Sequence, residues 1–231
     1  MKTIGLIGGM SWESTIPYYR HINETIKHHL GGLHSAKVVL FSVDFQEVER
    51  LQMKGDWDAA GELLSHAAQR LEAAGADFIV ICTNTMHKVY DQIVAAVSIP
   101  LCHIADATAS VIQQQGIKKV GLLGTRFTME QDFYKGRLSE QHHIQVVVPD
   151  EAEREIVHQV IYQELCLGTI NHESRKAFSQ IMQRLVDNGA QGIILGCTEI
   201  GLLVSEQDAS VPLYDTAKIH AVQAAEISLK P

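Results

Sequence analysis

The sequence predicts an α/β protein made of two pseudo-symmetric flavodoxin-like lobes, each built on a parallel sheet, with a site between them. Three observations predict it. Apolar, β-branched runs alternate with amphipathic stretches from one end of the chain to the other, the pattern of βα units that build parallel sheets with helices on both faces. The runs are hydrophobic almost throughout, as strands buried on both faces are. Finally, the chain repeats itself.

The repeat is collinear. Gly75-Ala76-Asp77-Phe78-Ile79-Val80-Ile81-Cys82-Thr83-Asn84-Thr85 aligns with Gly189-Ala190-Gln191-Gly192-Ile193-Ile194-Leu195-Gly196-Cys197-Thr198-Glu199 at a displacement of 114 (189 − 75). Lys2 to Gly9 aligns with Lys118 to Thr125 at 116 (118 − 2), and Ile99-Pro100-Leu101 with Val211-Pro212-Leu213 at 112 (211 − 99). A duplicated domain related by an approximate two-fold axis would set the two copied strand ends across one cleft. Thr83 then falls opposite Cys197.

The elements follow in order. Strands are expected at residues 3–8, 36–43, 77–82, 99–103, 118–123, 144–148, 191–196 and 211–213. Ser11 is a candidate N-cap for a helix stopped at Gly31-Gly32, Asp56 for one stopped at Gly75, and Asn171 for one stopped at Gly189. A helix around 105–115 should connect the halves, because no Pro/Ser linker or low-complexity tract separates them. The second copy also needs a last helix, over about 215–230, which would pack back on the first lobe. The expected lobes are therefore 1–101 plus 211–231, and 102–210.

Composition narrows the function classes. With 231 residues, 46% hydrophobic and 20% charged, the chain can bury a substantial core. A formal charge of −8 argues against nucleic acid as a partner, since that binding relies on clustered Lys and Arg. The N-terminal apolar run is too short for a signal segment, and no stretch approaches the ~18 apolar residues of a membrane span. Cys82, Cys102, Cys166 and Cys197 show neither CxxC spacing nor a paired framework. Free thiols, a cytoplasmic location and no metal site are the expectation.

Ligands of open parallel sheets bind beyond the carboxyl ends of the strands. Four copied ends frame the candidate site: Gly8-Gly9-Met10-Ser11, Thr83-Asn84-Thr85, Gly124-Thr125 and Cys197-Thr198-Glu199. The glycine turn could offer backbone N–H groups and a helix N-terminus to a carboxylate; a turn that simply needs glycine is the competing reading. It lacks G-x-G-x-x-G and the P-loop pattern, which gives dinucleotides and triphosphates little support. Asn84, Thr85 and Thr198 begin helices and offer donors. Cys197 leaves a buried strand for a helix start, where a depressed thiol pKa is expected. Cys82 aligns with Gly196, one residue earlier, so its side chain faces the other way and reads as structural. His87, one helical turn beyond Thr83, reads as lining the cleft or, slightly favoured, as a cap or surface residue. The pairs His28-His29 and His142-His143 read as solvent-facing. Arg50 and Gln52, placed in the loop after the second strand, are candidates for an acidic substrate side chain.

GLIGGMSW near the start, CTNTMHK in the first half, LGT at Thr125 and GCTEI in the second half resemble the aspartate/glutamate racemase family over essentially the whole chain. The resemblance implies two α/β domains with the site between them, a homodimer, no cofactor and a small amino-acid substrate. The family's usual pattern has a cysteine in each motif; here the first is Thr83. That departure resembles the L-aspartate/glutamate-specific subset with a threonine/cysteine pair, which implies Cys197 and Thr83 as the catalytic residues. Met10, Ser11, Gln52, Asn84, Thr85, Thr125, Thr198 and Glu199 are the expected substrate contacts.

The chemistry accounts for a pair. Inverting a stereocentre requires a proton removed from one face and another delivered to the opposite face. A thiolate can accept near neutral pH, whereas a threonine alkoxide is far too basic to be a resting base. Two other readings remain open from sequence: a single-cysteine decarboxylase or isomerase of small dicarboxylates, and a catalytically silent amino-acid-binding protein.

Overall fold

The computed structural model describes residues 1–230. Its first half runs β1 (Ile4–Gly8), α1 (Trp12–Leu30), β2 (Val38–Ser42), α2 (Phe45–Lys54), α3 (Trp57–Ala73), β3 (Phe78–Ile81), a 3-10 turn (Thr85–Val89), α4 (Tyr90–Ala95) and β4 (Leu101–Cys102). The second half runs α5 (Ile104–Gln114), β5 (Lys119–Gly124), α6 (Arg126–Glu130), α7 (Asp132–His142), β6 (Gln145–Val147), α8 (Glu151–Gln163), a 3-10 turn (Leu165–Leu167), α9 (His172–Asp187), β7 (Ile193–Gly196), α10 (Ile200–Leu203), a 3-10 turn (Glu206–Asp208), β8 (Leu213–Asp215) and α11 (Thr216–Leu229). All eight expected strands are present, the last one shifted two residues along.

Both sheets are parallel and share one strand order, β2-β1-β3-β4 in the first and β6-β5-β7-β8 in the second. The register repeats as well. Gly5 pairs with Ile79, and Gly121 with Ile193; Ile79 pairs with Leu101, and Ile193 with Leu213. Those equivalences carry the same displacements of 116, 114 and 112 that the sequence repeat has. Thr83 and Cys197 therefore each stand two residues past an equivalent position, Ile81 and Leu195, in their own sheet.

Each unit has its own core. In the first, Ile7, Ile79 and Ile81 pack with Leu64, Ala67, Ala68 and Leu71 of α3. In the second, Leu123, Ile193 and Leu195 pack with Phe178, Ile181, Met182 and Leu185 of α9. The caps follow the sequence signals: Asp56 accepts from Ala59 N, and Asn171 from Glu173 N. Ser11 sits at the N-cap position of α1 without a side-chain cap bond.

The two compact units are Met1–Ile104 with the tail from His220 onward, and Ala105–Ile219. The expected divisions at 101 and 211 thus move to 104 and 219. The reason is β8, whose residues Leu213–Asp215 hydrogen-bond to β7 and keep that segment with the second sheet. The tail helix packs on the first unit, where Ser228 O accepts from Lys2 N and Cys102 Sγ lies 3.1 Å from Gln223 Oε1. No helix among the described residues is long and apolar enough to cross a membrane.

Candidate active site

In each sheet the first strand sends one neighbour to either side, which makes the carboxyl end beside it a topological switch point. In the first sheet that crevice lies between β1 and β3, at Gly8-Gly9-Met10-Ser11 and Thr83-Asn84-Thr85. In the second it lies between β5 and β7, at Gly124-Thr125 and Cys197-Thr198-Glu199.

Cys197 ends β7 and is 8% exposed. Its Sγ donates to Glu199 Oε2 at 2.9 Å, and Thr198 Oγ1 donates to the same oxygen at 3.0 Å. Glu199 is buried. This corrects the expectation of a depressed thiol. Burial pushes the Cys197 thiol well above its ordinary value of 9.0, and the negative charge of Glu199 adds to that. The helix that follows, α10, has four residues, too short a dipole to reverse the effect. The resting group is a thiol held on a carboxylate.

Cys166 was not singled out by sequence. It packs against the same core cluster as Cys197, and its own thiol is raised by burial and by Glu199. No motif marks it; only the fold brings the segments together. Thr125 is buried and accepts from Thr128 N at 3.3 Å, capping α6. Its hydroxyl also lies 3.2 Å from Thr128 Oγ1.

In the first unit, Thr83 sits half-buried between the end of β3 and the 3-10 turn. Asn84, Thr85, Met86 and His87 are buried beside it. Gln52 is buried and donates from Nε2 to Met86 Sδ at 3.0 Å, so it reaches the same turn. Arg50 does not share that placement: it is exposed. Both belong to helix α2 rather than to a loop. Cys82 is fully buried with its thiol pushed up by burial, which suits a structural role.

The glycine turn is less available than sequence suggested. Gly9 N donates to Thr15 Oγ1 at 2.9 Å, while Ser11 O accepts from Ser14 and Thr15 hydroxyls. The turn needs glycine sterically: Gly9 has φ +91°, and a Cβ there would lie 2.3 Å from Val43 O. Met10 is buried in the core cluster and Ser11 is buried at the head of α1; the peptide between them is cis.

His87 departs furthest from its reading as a cap or surface residue. It is buried, with Nδ1 2.8 Å from Thr83 O and Nε2 3.2 Å from Ile104 N. His28 and His29 are exposed as expected, but His142 is half-buried against Asp106 at 2.9 Å. Asp106 also receives two bonds from Arg137, at 2.6 and 2.7 Å. Burial pushes its carboxyl up, yet those partners together hold it below the usual range. Among the described residues no His/Cys/Asp/Glu cluster could hold a metal ion.

The Asp/Glu/hydantoin racemase family model matches residues 7–224. The chain is similar to a Yersinia pestis protein assigned as an Asp/Glu racemase, at 63% identity, full coverage of both chains and a TM-score of 0.92. It is also similar to an aspartate racemase homologue of Pyrococcus horikoshii OT3, at 35% identity, full coverage of both and a TM-score of 0.85. The broad specificity amino-acid racemase RacX of Bacillus subtilis (strain 168) is 25% identical over 93% of this chain and 92% of its own length. With the family model matching residues 7–224, the chain belongs to the Asp/Glu/hydantoin racemase family.

Proposed function

We propose that the protein is a cofactor-independent racemase of aspartate and glutamate that works with an unequal pair, Cys197 as base and Thr83 as proton relay. One observation carries the reading: Cys197 holds its thiol proton on a buried carboxylate at one switch point, while the equivalent register position in the other sheet holds Thr83.

A thiol resting on a carboxylate has somewhere to send its proton. In the forward step the Sγ–H bond breaks toward Glu199 Oε2 as Sγ takes the substrate α-proton, and the electron pair stays on the α-carbon. The ammonium group of an amino acid brings positive charge that favours the thiolate at that moment. Thr83 then gives its hydroxyl proton to the opposite face and recovers one from solvent, while Glu199 releases to solvent the proton it took, which restores the thiol–carboxylate pair. Without an electron sink, donors must stabilise the carbanion and its carboxylate. Asn84, Thr85 and Gln52 on the Thr83 side, with Thr125 and Thr198 on the Cys197 side, support that role, and Met10 and Ser11 head the helix nearest the first crevice.

We read the molecule further as a cytoplasmic homodimer. Its four cysteines are free thiols, which suits a reducing compartment. Trp12, Ile16 and Tyr19 leave an apolar stripe exposed along α1. Sedimentation at micromolar concentration reads the assembly.

The activity is tested by incubating each enantiomer of Asp and Glu in buffer free of metal and pyridoxal phosphate and following loss of optical activity. Racemisation in that buffer supports the reading, and Cys197→Ala should lower its rate by about 10²–10⁴-fold. Binding without turnover in both proteins would replace it with an amino-acid sensor. Release of CO₂ from an arylmalonate would replace it with a decarboxylase.

A further inference from the structure

The turn that carries Thr83 is pinned by one imidazole. His87 is 3% exposed and spends both ring nitrogens on main chain, 2.8 Å from Thr83 O and 3.2 Å from Ile104 N. An amide N–H only donates, so Nε2 accepts from Ile104 and the ring proton sits on Nδ1, donating to the Thr83 carbonyl. The donors and acceptors thus fix one neutral tautomer. The bridge ties the end of β3 to the first residue of α5.

Other rings hold that imidazole in place. His103 lies 4.5 Å away between centroids, Tyr90 stacks at 6.2 Å and 11°, and His220 lies at 5.9 Å. Tyr90 donates to Leu101 O at 3.3 Å. His220 donates from Nε2 to Cys102 O at 3.0 Å and accepts at Nδ1 from the Tyr18 hydroxyl at 3.0 Å. His87 cannot swing without disturbing β4 and the tail helix.

We propose that His87 is the positioning residue for Thr83. Threonine is β-branched and stiff at χ1, so the direction of its hydroxyl follows its main chain. Thr83 lies outside both the strand and the 3-10 turn, where no regular ladder sets that main chain, and the bond from His87 does so instead. The inference rests on the reading of Thr83 as the relay that partners Cys197. It assigns His87 to one half of the reaction only: proton delivery on the Thr83 face, leaving removal by Cys197 alone.

Three variants separate the two bonds. In His87→Asn the side-chain amide can still donate to Thr83 O; in His87→Gln the longer chain can still accept from Ile104 N; His87→Leu loses both. Each is assayed in D₂O with the enantiomer that faces Cys197, measuring α-proton exchange and inversion separately, with a thermal midpoint as a folding control. His87→Leu should lose about tenfold or more in inversion while exchange stays within about twofold, because a displaced relay costs orders of magnitude in transfer rate. His87→Asn should recover more of the inversion than His87→Gln. Equal losses of exchange and inversion, or no loss of either, would overturn the proposal. Absence of exchange in the unaltered enzyme sinks the racemase reading itself, which is a different result. Nitrogen-15 NMR of the imidazole gives a readout free of turnover: protonated Nδ1 is expected, and protonated Nε2 contradicts the bridge.

Discussion

At the scale of single residues, the proposed mechanism turns on the balance at Cys197. Glu199 raises the thiol by its charge and also offers that thiol an acceptor at 2.9 Å. The two effects oppose each other in Glu199→Gln. Removing the charge makes the thiolate easier to form, yet removing the carboxylate deprives the thiol proton of its destination. If the relay governs, kcat falls by about 10² and the rising alkaline limb of the rate profile moves to lower pH. An unchanged or higher kcat would make Glu199 merely a repulsive neighbour. Cys197 and Thr83 were legible as candidates because the repeat aligns them at equivalent positions of its two copies. The state of the thiol was not, since sequence shows a helix start but neither its four-residue length nor the carboxylate turned back upon Sγ. His87 was misjudged for a similar reason: its partner, Ile104 N, is seventeen residues away (104 − 87) and is met only in the fold.

Among the elements, duplication preserved a glycine at a crowded position in the first strand of each sheet. A Cβ on Gly5 would lie 2.9 Å from Ala76 Cβ and 3.3 Å from Leu71 Cβ; one on Gly121 would lie 2.6 Å from Ile193 Cδ1 and 2.9 Å from Leu185 Cδ1. The neighbours differ in their freedom to move. Ala76 Cβ is rigid, whereas Ile193 Cδ1 and Leu185 Cδ1 are ends of flexible chains. Gly5→Ala should therefore destabilise by about 1–3 kcal/mol and Gly121→Ala by less, read as shifts in denaturant midpoint at constant m-value. The reverse order would contradict the packing. Strand positions were legible from apolar runs, and long helices from their caps. The α6–α8 region was not assigned helix by helix, although Asp150 accepting from Glu153 N is an N-cap visible in the sequence. The β8 boundary was placed two residues early because it followed the match of Val211-Pro212-Leu213 to Ile99-Pro100-Leu101. The Pro212 carbonyl accepts from Ile193 N, and pairing runs on to Asp215.

For the whole molecule, activity and stability should part company in alkali. Burial raises the thiols of Cys82 and Cys197 above their ordinary value of 9.0, so the folded chain keeps protons that the unfolded chain releases. Their contribution is complete below pH 9 and is lost as pH rises beyond it, at about 1.4 kcal/mol per pH unit for each thiol. Denaturant midpoints taken between pH 8 and 10.5 should fall, and Cys82→Ala should flatten the slope by about one thiol's share. A slope unaffected by that substitution would contradict the buried-thiol account.

The measurement that reaches the central claim most directly follows α-proton exchange and inversion together, for both enantiomers of Asp and Glu, in D₂O. An unequal Cys197/Thr83 pair predicts that the enantiomer facing Cys197, L by resemblance to the family's threonine/cysteine subset, exchanges its α-proton faster than it inverts, and that its mirror image does both slowly. Equilibrium between the enantiomers stays at equal amounts whichever residue is weaker, so the asymmetry belongs to the rates alone. Exchange and inversion at equal rates from both sides would contradict the account.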